Sequence, residues 1–168
     1  MSHALGEISR DDYLQRSTTF PLAERSALQV RCLDCKREFP MSYYFSKTLP
    51  VGFDEAVRRS IEGLKQEGFG IITEIDLKET FKKKINVDFR NYRILGACNP
   101  MLAHEALKLE DKVGTMLPCN VVVQDVGGGR TEVAAIDPVA SMQAVDNSGL
   151  KLAAEQVGAK LRKFIEAL

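Results

Sequence analysis

Tyr92-Arg93-Ile94-Leu95-Gly96-Ala97-Cys98-Asn99-Pro100 ends an apolar run in a thiol, an amide and a proline. Asn99 is a good helix N-cap, because its side-chain oxygen can accept an orphan backbone N–H of the first turn. Pro100 suits the first helical position, where no amide hydrogen is needed, and Met101 to Leu107 continue with good or tolerable helix formers. The stretch therefore reads as a strand feeding a helix. A second thiol–amide pair, Cys119-Asn120, opens the β-branched run Val121-Val122-Val123. The relation of these two segments decides the fold. If the strand ending at Cys98 pairs antiparallel with the one starting at Cys119, the thiols share one edge of a sheet. If the intervening helix is a parallel crossover, they lie at opposite ends of strands roughly 20 Å long. Local physics allows both.

Upstream, Ser42 to Thr48 form a β-rich run that stops at Pro50-Val51-Gly52. Phe53, Val57, Ile61 and Leu64 then recur at helical spacing, and Gly68 is placed to cap that helix at its C-terminus. Phe69 to Ile75 reads as a strand. Asp76-Leu77-Lys78-Glu79 predicts a capping box for a short helix with Leu77, Phe81 and Ile85 on its inner face. Downstream, Val121-Val122-Val123 and Glu132 to Ile136 flank Gly127-Gly128-Gly129, the pattern of a hairpin. Asp137-Pro138 repeats the cap-then-proline grammar. A long last helix carries Leu150, Ala154, Val157, Leu161, Phe164 and Leu168, spaced either for a coiled-coil seam or for one face packed on a sheet.

The 168 residues hold 23 Lys+Arg against 23 Asp+Glu, so no basic excess points to nucleic acid or an anionic membrane. Hydrophobic residues at 45% and charged residues at 27% are ordinary for a globular domain. No apolar run approaches the length of a membrane-spanning helix. The first residues lack the basic start and apolar stretch of a secretory signal, so a cytoplasmic protein with reduced thiols is expected. Lys82-Lys83-Lys84 reads as a solvated face rather than a phosphate site.

From about Met41 onward the chain resembles the bacterial domain of unknown function 302 family. The matching stretches are Gly68-Phe69-Gly70 with Thr73-Glu74-Ile75-Asp76, then Tyr92 to Pro100, Ala103-His104-Glu105-Ala106-Leu107, and Leu117-Pro118-Cys119-Asn120 with the valines after it. The resemblance implies an α+β fold, an antiparallel sheet packed with helices in a TATA-binding-protein-like β-α-β(4)-α arrangement. It also implies a homodimer, and it favours thiols on a shared edge. It implies no activity, and a fold of that kind does not by itself imply DNA binding.

The organisation expected is an N-terminal extension over residues 1–40 and an α+β domain over 41–168. Cys98, Asn99, His104, Cys119 and Asn120 are the candidate ligand-binding residues. The reading is a small-ligand or partner-binding module at the two Cys-Asn motifs. The alternatives are a thiol redox or sulfur-transfer protein using Cys98 and Cys119, and a metal- or haem-binding protein in which His104 joins the thiols. A purely structural protein working through its dimer surface is a further class. No catalytic constellation, Walker loop or dinucleotide fingerprint is present. The state of Cys98 turns on two opposed effects: the positive end of a helix favours its thiolate, and burial beside Ile94 and Leu95 favours its thiol. In the extension, Cys32-Leu33-Asp34-Cys35 is half of a structural zinc motif, so Cys32 and Cys35 are the candidate zinc ligands.

Overall fold

The computed structural model describes residues 42–168; Cys32 and Cys35 lie outside them. Five strands form one sheet: β1 (Tyr44–Leu49), β2 (Gly70–Asp76), β3 (Tyr92–Cys98), β4 (Cys119–Gly127) and β5 (Arg130–Ile136). Their order across the sheet is β1-β5-β4-β3-β2, and every neighbouring pair is antiparallel. Between β1 and β2 runs α1 (Phe53–Gln66); α2 (Leu77–Ile85) links β2 to β3. Helix α3 (Pro100–Leu109) and a 3-10 turn (Asp111–Met116) link β3 to β4, and α4 (Pro138–Ser141) and α5 (Ser148–Ala167) follow β5. This is the expected α+β architecture, with short helices added between the strands.

Local chemistry sets the element ends. Gly68 adopts φ +85°, and the N–H groups of Gly68 and Phe69 bond to the Lys65 and Leu64 carbonyls, closing α1 with a Schellman motif. Asp76 accepts from Glu79 N at 2.9 Å, Asn99 from Leu102 N at 3.2 Å, and Asn147 from Leu150 N at 3.2 Å, each capping the helix that follows. Gly127, Gly128 and Gly129 all have positive φ, and Gly128-Gly129 form the two-residue turn between β4 and β5. An extra residue at Ile72 makes a bulge in β2, an edge strand.

Among the described residues the sheet has one covered face and one bare face. In β4, Cys119, Val121 and Val123 are buried, whereas Asn120, Val122 and Gln124 point the other way and are less covered. Helices α1 and α5 lie over the first set, and Leu64, Leu95, Val121, Val133, Leu161 and Phe164 form the centre of the core. The last helix therefore packs on the sheet and is not a free coiled-coil seam. Two expected inward residues behave differently. Ile61 is 37% exposed, because Ala56 and Ser60 occupy the buried stripe of α1, and Ile85 is 63% exposed, because α2 buries no residue fully. Of the lysine run, Lys82 pairs with Asp88 and Lys83 with Glu79, both at the surface.

Candidate functional site

Antiparallel pairing sets Ala97 opposite Cys119, so Cys98 and Cys119 come to the same edge of the sheet. Both line an apolar crevice roofed by α3, α4 and α5. Leu102, Ala103 and Ala106 come from α3, Pro138 and Met142 from α4 and its end, and Leu150, Ala154 and Val157 from α5. Phe69 and Leu117 close the remaining sides. Small residues make the gap: four of the helix residues facing it, Ala103, Ala106, Ala153 and Ala154, are alanines where a leucine would fill it. The cavity measures about 30 Å³, room for about two waters, whereas a dry apolar cavity that takes up benzene is about 150 Å³.

Both thiols, neither in a disulfide, are held in the neutral form. Burial pushes the half-buried Cys98 thiol above its ordinary range. Burial also carries Cys119, 7% exposed, up to about 11, with a smaller contribution from the neighbouring Cys98. Desolvation is the main cause at both thiols, and the first turn of α3 is already engaged by the Asn99 side chain.

The five sequence-derived residues do not form one cluster. Cys98, Asn99 and Cys119 line the crevice, with Asn99 also capping α3 and packing its amide nitrogen against Gly68. His104 is absent from that lining: its side chain is 67% exposed, with Nδ1 3.6 Å from the Glu105 carboxylate. Asn120 follows Cys119 on the same strand and so faces the bare side, where it lines a shallow groove of about 300 Å³ with Tyr44, Tyr92 and Gln124. Alternation along β4 was a signal for this split, since consecutive strand residues face opposite ways. The share taken by α4 and α5 had no local signal, because it depends on where the chain returns. Among the described residues no three His, Cys, Asp or Glu side chains converge as a metal-binding group.

The fold and the paired thiol edge define a small α+β domain built on one half-covered antiparallel sheet. Residues 45–168 match the family model for the domain of unknown function DUF302, and the chain belongs to that family. It is similar to the crystal structure of an uncharacterized conserved DUF302 protein from Bacillus stearothermophilus, with 27% identity and a TM-score of 0.69. That similarity covers 74% of this chain and 96% of the other. No curated protein matches the chain.

Proposed function

We propose that the domain is a homodimeric binding module of the cytoplasm whose site is the crevice at the sheet edge, and whose ligand is a small uncharged apolar molecule. The observation that carries the reading is the convergence of Cys98 and Cys119, from neighbouring strands, on one crevice lined almost wholly by apolar side chains. Such a lining favours a neutral ligand, because a charged one would lose its hydration without a compensating partner. The neutral thiols suit the same role, as soft, weakly polar contacts. At its present volume the crevice admits nothing as large as benzene, so entry requires side chains to move. Met142, unbranched and 8% exposed at the α4 end, is the adjustable wall. Balanced charge supports a partner that is neither nucleic acid nor an anionic membrane, and no helix among the described residues is long and apolar enough to cross a membrane.

Titration with benzene and indole, followed by amide chemical shifts, tests this reading. Saturable shifts at Cys98, Ala106 and Ala154 that vanish in Ala154→Phe support it. Shifts that are absent, or unchanged by that substitution, overturn it. The thiol-redox reading makes the opposite demand, rapid alkylation of Cys98 well below pH 8, and burial of both thiols weighs against it.

A further inference from the structure

The bare face of the sheet has the pattern of a surface made to meet itself. Strand β4 runs down the middle of the five, with β5 on one side and β3 on the other. Register places Ile94, Val122 and Ala134 in one row across these three strands, and Tyr92, Gln124 and Glu132 in the next. Arg90 donates to Gln124 Oε1 at 2.7 Å, and Gln124 Nε2 donates to Glu132 Oε2 at 2.6 Å. Arg90, just before β3, thus sets a cation on the β3 side of Gln124, and Glu132 sets an anion on its β5 side; among the described residues neither has an ion-pair partner. From this arrangement we infer that a second copy of the chain packs on this face, about a twofold axis running along β4. The inference rests on the dimer proposed above and assigns its surface.

The twofold makes three matches at once. It exchanges the β3 and β5 sides, so Glu132 of each copy meets the partner's Arg90. It sets Ala134 against the partner's Ile94, a small side chain against a large one, twice. Val122, on the axis, meets the partner's Val122. Strands related by such an axis run nearly alongside one another, the aligned arrangement of two stacked sheets. Five strands about 4.8 Å apart and about 20 Å long offer roughly 500 Å² per copy. Together two copies bury about 1,000 Å², at the lower limit for a specific interface, so the dimer is a reversible one. A small-molecule groove would need neither the opposed charges on the two sides of Gln124 nor the small-against-large row beside it.

Sedimentation equilibrium of the full chain from about 1 to 100 µM, a range suited to an interface near that limit, is the test. Wild type should show a monomer–dimer equilibrium. Val122→Arg, which opposes two like charges on the axis, should shift it at least tenfold toward monomer with an unchanged circular dichroism spectrum. Glu132→Arg should weaken the dimer and Arg90→Glu combined with it should restore it. Should Val122→Arg fail to fold, Val122→Cys gives a second reading, an oxidant-dependent cross-linked dimer that wild type does not form. A wild-type chain that stays monomeric overturns both this surface and the homodimer, and leaves the face to another protein or a ligand. A dimer that survives Val122→Arg and shows no cross-link through Val122→Cys overturns this surface alone. Neither result touches the crevice titration.

Discussion

Gly96 is the residue at which the sheet has room for a hydrogen and nothing larger. A Cβ there would collide with the Thr73 hydroxyl from β2 and come within 2.7 Å of Pro118 Cγ. Gly96→Ala should therefore destabilise the fold by about 1–3 kcal/mol in a denaturant titration. Adding Thr73→Ala should recover only part of the loss, because the proline remains. The second residue-scale prediction concerns Cys119. With its folded pKa raised to about 11 against an ordinary 9.0, the unfolded chain ionises first. Between pH 9 and 11 the unfolded state binds fewer protons, so stability falls with rising pH, by on the order of 2 kcal/mol across the window. Cys119→Ala should flatten that alkaline slope in thermal melts while costing some packing. The candidate thiols were legible in the paired Cys-Asn motifs. Their placement on one crevice was not legible in those motifs, because strand direction is decided by all five strands and no single segment encodes it.

Helix boundaries, by contrast, were written locally. Asp76, Asn99 and Asp137 cap the next helix through their own side chains, which is why a short reading frame found them. Asn147 does more than cap: its oxygen holds Leu150 N, and its amide donates to the Leu109 carbonyl at 3.0 Å, fastening the start of α5 to the end of α3. Asn147→Ala should thus cost about 2 kcal/mol, the upper end for a cap. Asn147→Asp, which keeps the acceptor and loses the donor, should cost less. Comparing their midpoints in urea separates the two contributions. What local periodicity missed was depth. Ile61 and Ile85 sit at helical spacing yet remain exposed, because the neighbours that would cover them belong to distant parts of the chain.

Across the whole molecule, α5 is the element that closes the structure. Its Leu161 and Phe164 are buried under the sheet, and Phe164 packs against Gly63 of α1, where a Cβ would come within 3.0 Å of the ring. Lys47 Nζ reaches the Glu166 carbonyl at 2.8 Å, and Lys163 reaches the Glu67 carboxylate at 2.7 Å, tying the same helix to both ends of the fold. These ties, each made by a lysine whose head stays in solvent, contribute little beside the ring, so Phe164→Ala should cost about 3–5 kcal/mol, measured by equilibrium unfolding. Lys47→Met and Lys163→Met should each change stability by under about 1 kcal/mol. The side-by-side placement of Cys119 and Asn120 on β4 carries one more consequence. A strand that slips by a single residue turns every side chain over. Here such a slip would lift a thiol out onto the open face and press an amide into an oily crevice. The strand thereby carries its own alignment gauge: a correctly threaded chain hides the sulfur, and a mis-threaded one displays it to any alkylating reagent.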